Sequence, residues 1–521
     1  GVMGEWTDSV PVLYVSGQVK QSTTIAACPD LPLRQLGDQE VDIISVVKPL
    51  TKYAKQIRSV KEVRKVLDTA VYTALSGRPG PVWIDVPMDM QGADMEGVEL
   101  EEFPQSEIDR LTAKKYPDAK DVEAVVEMFR HAKRPVVIAG HGIRIAGGQD
   151  LLRKLVEKYF IPVVTTFNGM DLLEDDHPCF VGRIGTSGSR AGNFTLQNAD
   201  MVLCVGSRNN IRQTSYNYEY FARGGNLVCV DVDSAEFRKP TVKPVLGIES
   251  DAACFLEALM RAMPDGLDFS EYRAWALALK ARYPKVLPRY VEWKDKVHPY
   301  YFMEKLSETA PDNALFVGGN GTACIVTFQA FKVKKGQRYF WNSGCATMGY
   351  DLPAGLGAAY GAPDRPLFVL GGEGSMMMNL QELATIAGNR IPAKIFLLNN
   401  NGYISIRQTQ DNFFAGRHIG LNAASGVYFP EFERVAKAFG LPYLSIRSNG
   451  EIEERVKEMM EMPGPVFCEV LLTENYIFEP KTSSERKPDG RIVSKPLEDL
   501  YPFLPREEFA KNMIIPPLKE E

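Results

Sequence analysis

The sequence predicts an α/β fold built on parallel sheets, and three observations carry that prediction. Short apolar runs alternate with segments of helical period along most of the chain, separated by Gly/Pro turns. The clearest unit spans 366–403: an apolar run over 367–370 closes at Gly371, Gly372 and Gly374, then Met377, Leu380, Leu383, Ala384 and Ala387 recur at helical spacing, and 395–398 is a second apolar run. A strand, a helix and a strand in that order make a parallel pair with a right-handed crossover, so both strand ends open on one edge of the sheet. The third observation is size: 521 residues with 45% hydrophobic content leave room for about three domains of ~150 residues.

In chain order, a helix over 2–6 directly precedes a strand over 10–15, with no initiating methionine ahead of it. A polar loop over 18–39, a helix over 59–75, a Gly/Pro turn over 76–80 and a strand over 81–87 follow. Segment 92–118 is acidic, contains proline and lacks periodicity, which reads as a linker. Helices over 121–132 and 150–159 and strands over 135–139, 162–166, 201–205 and 226–232 form a second α/β domain closing near Met263. The third holds a helix over 300–309, strands over 314–318 and 339–341, a glycine-rich stretch over 342–362 that continues as a helix over 356–360, and the 366–403 unit. Helices over 435–439 and 452–460 flank a strand over 443–446, and 465–471 is the last strand. The tail over 479–521 is polar and Pro-rich and is expected to wrap the surface or lie over the active site.

A formal net charge of −6 without a basic run argues against nucleic acid or a membrane surface as partner. Neither a signal peptide nor an apolar stretch near the ~18 residues of a membrane span is present, so the expected location is cytoplasmic. Eight cysteines without a C-x-x-C pair support neither zinc nor a disulfide framework and read as buried thiols. His141 and His177 read as loop histidines, since nothing at metal-ligand spacing accompanies them.

Chemistry concentrates where the 366–403 strands end. Glu373 leaves one strand and Asn399 and Asn400 leave the other. A carboxylate, an amide and a turn carbonyl make a hard oxygen site suited to Mg²⁺, which completes its octahedron with phosphate oxygens and water. The glycines admit a phosphate to the backbone, and a helix starting near Ser375 offers free N–H groups, so diphosphate with Mg²⁺ is the implied ligand. The plainer alternative is an ordinary strand-to-helix turn carrying an exposed acid. Met377 stands where a dinucleotide fingerprint needs its third glycine, and no lysine follows Gly374 as a P-loop requires.

The stretch resembles the thiamine-diphosphate motif, G-D-G-S followed by N-N, of the pyruvate decarboxylase and acetolactate synthase superfamily, at that family's spacing. The resemblance implies that Glu373, Asn400 and the carbonyl of Gly402 hold Mg²⁺, with Glu373 standing where the family has Asp. It places Gly372, Gly374, Ser375, Asn399 and Tyr403 at the cofactor, thiamine diphosphate. In NSGCATMGYDLPAGLGAAYGA it puts Met348 at the position that bends the cofactor; taken alone, that Met reads as core filler. WTDSVPVLYVSGQV, DQEVDIISVVKPLTKYA and SGRPGPVWIDVPMDM resemble the second half of the family's pyrimidine-binding domain, which makes Gln18 and Gln39 substrate neighbours, the alternative being solvated loop residues. The family's activating glutamate belongs to the first half, expected upstream of Gly1 over roughly 75 residues, and no acid of this chain takes that role. LEDDHPCFVGRIG, NADMVLCVGSRNN and VDVDSAEFRK resemble the family's central domain, with Gly182, Gly185 and Gly188 in place, implying either FAD there or an emptied, structural domain.

The implied architecture is three doubly wound α/β domains: the second half of a pyrimidine-binding domain over 1–92, a linker over 93–118, a central domain over 119–265, a thiamine-diphosphate and Mg²⁺ domain over 285–475, and a tail over 476–521. The implied reaction is decarboxylation of a 2-oxo acid such as pyruvate and carboligation to a second carbonyl, giving 2-acetolactate when that is another pyruvate. Thr409 aligns with a family tryptophan, and Arg407, Gln408 and Gln410 make the region polar, which suits a hydroxylated or anionic acceptor such as a keto sugar nucleotide, or else is a solvated helix face. A simple 2-oxo-acid decarboxylase and a non-catalytic binding subunit are the other readings. Because the family seats its cofactor between subunits, a homodimer or homotetramer is implied.

Overall fold

The computed structural model describes residues 1–486 and 490–518. The chain divides into two units, one of Gly1–Lys115 with Asn342–Ala346, the other of Tyr116–Trp341 with the rest.

In the first unit, β1 (Leu13–Gln18), β2 (Tyr53–Gln56) and β3 (Val82–Pro87) form a parallel sheet in the order β1-β3-β2. The helix Val63–Leu75 buries Val66, Ala70 and Ala74, a stripe four residues apart, against it. Asp85 is fully buried on the central strand and accepts from Ser16 Oγ at 2.6 Å, Gln56 Nε2 at 2.9 Å and Gln18 Nε2 at 3.4 Å, which ties all three strands together. The strand expected over 10–15 sits later because Val10 N–H turns back to the Glu5 carbonyl, closing the helix Val2–Asp8, and Pro11 has no N–H for a ladder. Gly344 N–H donates to Asp8 at 3.0 Å, so 342–346, expected with the third domain, packs here. The expected linker contains the helix Gln105–Thr112, which buries no residue and so leaves no apolar period in the sequence.

The second unit holds two six-stranded parallel sheets. The first, in the order β6-β5-β4-β7-β8-β9, comprises β4 (Pro135–Ala139), β5 (Val163–Thr165), β6 (Phe180–Arg183), β7 (Met201–Val205), β8 (Asn226–Asp231) and β9 (Leu246–Glu249). The second, in the order β11-β10-β12-β13-β15-β14, comprises β10 (Leu315–Gly318), β11 (Arg338–Phe340), β12 (Leu367–Gly372), β13 (Ala393–Asn399), β14 (Tyr443–Ile446) and β15 (Val466–Leu471). Both faces of each are covered: Val136 and Ile138 join one apolar cluster while Val137 and Ala139 join the other. That double burial is why these strands read as unbroken apolar runs. The edge strands β6 and β9 escape the sequence reading because glycine and charged residues interrupt their four positions.

Two buried acids join the sheets. Asp171 pairs with Arg144 at 3.0 Å and with Arg338 of β11 at 2.8 Å. Asp175 pairs with Arg183 at 2.7 Å and with Lys285, and accepts from Val333 N–H at 2.8 Å. Burial pushes the Asp175 carboxyl up, but the two cations outweigh it and hold it down at about 2.

The tail departs from the expected surface wrap. After the antiparallel pair β16 (Ser484–Arg486) and β17 (Ile492–Ser494), Leu497 and Phe509 enter the core of the first six-stranded sheet beside Phe194. Asn193, Gln197 and Asn198, on the helix Arg190–Asn198, bond to Leu497 O at 2.8 Å, Glu498 at 2.7 Å and Asn512 O at 3.0 Å. A polar sequence is thus seated by a polar helix face; residues 487–489 and 519–521 of that tail lie outside the described residues. All eight cysteines are free, and six are buried. Among the described residues no helix is long and apolar enough to cross a membrane.

Candidate active site

The helix expected from Ser375 begins at Glu373 itself and is broken into Glu373–Met378 and Glu382–Gly388. The break lies at Asn379, whose amide donates to the Gly349 carbonyl at 2.7 Å instead of continuing the helix. In consequence Met376 takes the buried position expected of Met377, which is 38% exposed.

Glu373 is 1% exposed and its Oε1 accepts from Gly402 N–H at 3.1 Å. The turn after β13 presents that N–H through left-handed Asn401 (φ 56°) and Gly402 (φ 136°), and a Cβ on Gly402 would lie 2.4 Å from Leu421 O. Burial pushes the Glu373 carboxyl up to about 7, although the Gly402, Asn400 and Asn401 N–H groups favour its charged form. Beside it Asn400 is 5% exposed; its Nδ2 donates to Thr322 Oγ1 at 3.4 Å, and its Oδ1 is buried without a partner among the described residues. A buried carboxylate and an unsatisfied amide oxygen form a donor set that a hard cation completes. Among the described residues no three His, Cys, Asp or Glu gather as metal ligands, so a cation here would rely on one acid plus amide and carbonyl oxygens. Those residues fit the cation.

The residues expected at the cofactor gather around the same turn. A Cβ on Gly374 would lie 2.1 Å from the Tyr403 ring, so the glycine lets that ring rest on the helix backbone. Gly372 faces open space. Ser375 Oγ accepts from Gly349 N–H at 2.9 Å and Asn379 holds the Gly349 carbonyl, which clamps the residue after half-buried Met348 from both sides. Asn399 has both ends of its amide engaged, donating to Glu469 at 2.6 Å and accepting from Asn401 N–H at 3.0 Å. It therefore fixes the turn that presents Asn400.

Three participants escaped the sequence reading. Asp351, buried at the start of the helix Asp351–Gly361, lies against Gly319 and Gly371, where a Cβ would come within 2.5 and 2.8 Å of its Oδ2. Burial raises its carboxyl to about 6, tempered by the Ser375 hydroxyl and the Leu352 N–H. Thr322, which accepts from Asn400, shares a hydrogen bond with the buried Tyr476 hydroxyl. Only the acid in front of an apolar helix, in Asp351-Leu352-Pro353, was a visible signal.

The remaining candidates are occupied differently. Gln18 is bonded to Val41 O at 2.7 Å and borders a cavity of about 530 Å³ in the first unit, whereas Gln39 is an exposed loop residue at φ 63°. On the helix Ile404–Phe413, Arg407 pairs with Glu474 at 3.3 Å, Gln408 is buried and accepts from Lys481 at 3.2 Å, and Gln410 grips Ile419 through both ends of its amide. Thr409 is exposed. The sheet order of the central domain reverses between β4 and β7, where such folds take dinucleotides. There Gly140 N–H donates to Val205 O and Gly142 N–H to Gly206 O, each at 2.9 Å, and a Cβ on Gly140 would lie 2.3 Å from Gly206 O, so glycine lets the two turns pack against each other.

Comparison with known proteins adds an independent line. The pattern of the thiamine pyrophosphate enzyme C-terminal TPP binding domain matches residues 319–470, and that of the thiamine pyrophosphate enzyme central domain matches residues 122–259. The acetolactate synthase isozyme 1 large subunit of Escherichia coli (strain K12) is 30% identical over 466 residues, which is 89% of this chain and 78% of that protein. The acetolactate synthase large subunit of Cyanidium caldarium is 29% identical over 492 residues, covering 91% and 80%. Acetolactate synthase 2, chloroplastic, of Nicotiana tabacum is 29% identical over 489 residues, covering 91% and 70%.

Proposed function

Since this chain belongs to the thiamine pyrophosphate enzymes, in the family of the acetolactate synthase large subunits, we propose that it is a carboligase that decarboxylates pyruvate and joins the two-carbon unit to a second carbonyl. The observation that carries this reading is the partnerless Asn400 Oδ1 beside buried Glu373. Glu373, Asn400 and the Gly402 carbonyl would hold Mg²⁺, and through it the diphosphate. Bound there, thiamine diphosphate supplies the carbon nucleophile that 2-oxo-acid decarboxylation needs. The chain's own residues bind, orient and exclude water. Glu373 gives up its proton to carry the charge that the cation neutralises. The Asn399–Glu469 contact and the Gly349 clamp hold the Asn400 turn and Met348 in place, while the short helix Glu373–Met378 adds little dipole of its own. The reading holds whether the central domain seats FAD or is structural.

A second reading keeps the cofactor and changes the acceptor to a hydroxylated carbonyl compound such as a keto sugar nucleotide. Exposed Thr409, whose hydroxyl bonds to Ser405 O at 3.0 Å, favours it, because no apolar wall stands at that position. Product analysis of the full-length protein with Mg²⁺, thiamine diphosphate and pyruvate alone is the test. 2-Acetolactate supports the lead and acetaldehyde indicates a decarboxylase. Cofactor binding without either product supports a different acceptor. Failure to bind the cofactor would sink the catalytic reading and leave a binding subunit.

A further inference from the structure

A cavity of about 260 Å³ lies where the central sheet, the helix Thr322–Ala330 and the tail meet, all within one unit. Five cationic side chains line it, Arg183, Arg190, Arg282, Lys285 and Arg289, against one acid, Glu479. Three of the five are neutralised: Arg183 and Lys285 share Asp175, and Arg289 pairs with Glu479 at 2.5 Å. Arg190 and Arg282 form no ion pair among the described residues. Arg190 donates from its two terminal nitrogens to the Leu500 and Pro502 carbonyls, and Arg282 donates from one to Asn512 Oδ1 at 3.0 Å. The next acids are engaged elsewhere, Glu508 with the Tyr283 hydroxyl at 2.6 Å and Asp499 with Arg506 at 2.9 Å. Arg190 is half-buried and Arg282 exposed, so neither is sealed off from the space it lines. Burial draws the Arg190 guanidinium below its ordinary value in spite of Tyr283, Asp499, Glu479 and Glu508 nearby, as befits a cation short of a contact anion. Arg190 also opens the helix Arg190–Asn198, and Gly188 and Ser189 before it line the cavity, so a positive helix end borders it.

That surplus selects an anion. Arg190 keeps its Nε free, and Arg282 keeps its Nε–Nη2 edge, a planar fork that matches the two oxygens of a carboxylate. Much of the remaining wall is hydrocarbon, from Pro284, Leu287, Phe328, Pro502, Phe503 and Leu504. Those side chains have no donor for a third anionic oxygen, so a phosphate ester would be left short, whereas they accept an apolar body readily. We propose that this cavity binds a small monocarboxylate with an apolar body, aromatic or branched aliphatic. The carboxylate lies in the field of Arg190 and Arg282, and the hydrocarbon lies against Phe503 and Leu504. The volume, at the small end of ligand pockets, suits a molecule of that size. Because Pro502, Phe503 and Leu504 belong to the tail while Arg190 belongs to the central domain, the ligand also ties the two together and stabilises the fold by mass action. None of this depends on what occupies the Glu373 turn.

Saturation-transfer NMR and thermal unfolding of the full-length, metal-free protein test the site, with benzoate, phenylacetate and isovalerate as probes. Phenylacetamide keeps a ring without the charge, acetate keeps the charge without the body, and inorganic phosphate is the competing anion. At least one probe should bind saturably, raise the unfolding midpoint and bind about tenfold or more tightly than each of these three controls. Arg282→Gln should weaken that probe about tenfold, the scale of one hydrogen bond to a charged group, and Phe503→Ala should weaken it too. Both side chains are exposed, so the variants should fold, which circular dichroism checks. Saturable binding of no probe, amide or phosphate binding as tight as that of the carboxylates, or an affinity untouched by both variants overturns the proposal. Saturating Mg²⁺ and thiamine diphosphate should leave the probe bound; its displacement would put the carboxylate at the Glu373 turn and overturn this site.

Discussion

The Asp175 cluster and the Glu373 turn are both buried carboxylates in the same unit, and their surroundings treat them oppositely. Asp175 has Arg183, Lys285 and the Val333 N–H on its oxygens, which hold it ionised down to about 2. Among the described residues Glu373 has backbone N–H groups but no side-chain cation, and a neighbouring amide oxygen without a partner, so burial lifts it to about 7. A buried charge that the protein neutralises by itself is a joint between elements. One left short of countercharge is a seat for something the chain does not contain. The contrast sets an acid that the fold neutralises apart from one that the proposed cation would complete, without reference to any relative.

The largest expected effect attacks the joint. Asp175→Ala leaves Arg183, which is 2% exposed, and half-buried Lys285 without their acid, so it should cost about 3–5 kcal/mol in denaturant unfolding. A cost under about 1 kcal/mol would break the comparison. The pH dependence has a definite sign: the folded Asp175 lies below its ordinary 3.8, so its contribution is complete above that value and is lost as pH falls through about 2. Asp175→Asn should flatten this acid limb of stability.

Glu373→Gln sharpens the contrast from the other side. It removes a carboxylate that the metal-free fold does not neutralise, so metal-free stability should hold or rise above pH 7. The wild-type group, raised in the fold, contributes stability that is complete below about 4.5 and is lost as pH rises through about 7. The same change should weaken Mg²⁺-dependent thiamine diphosphate binding on the order of 100-fold, about 2.7 kcal/mol. Equilibrium dialysis beside thermal unfolding reads both, and a variant that loses stability instead would make Glu373 another joint. The smallest effect is expected at Gln410→Ala, a half-buried amide gripping one loop residue, which should cost under about 1 kcal/mol and leave cofactor affinity alone.

Much of the fold was legible because its sheets are parallel and covered on both faces, so β4 and β7 show as apolar runs with correct ends. The helix Gln105–Thr112 buries nothing and carried no period, while the tail's partners Asn193, Gln197 and Asn198 are some 300 residues away in sequence. Glu373 and Asn400 were legible because both lie at strand ends of one crossover unit, where local order dictates that they meet. Asp351, Thr322 and Tyr476 were not, since each reaches the turn from a separate element.

By itself, then, the sequence determined the α/β class, the strand-end acid and amide, and the resemblance that names their cofactor, because these depend on period, turn chemistry and short spacings. Only the tertiary structure decided which polar groups are satisfied. Asn399 and Asn400 are adjacent and chemically identical, yet one is spent on Glu469 and the other is left with a bare oxygen. Likewise Arg407 and Gln408 read alike as polar helix positions until packing against Glu474 and Lys481 fixed their partners. Hydrogen-bond satisfaction is a property of three-dimensional neighbours, and no residue carries it in its own identity.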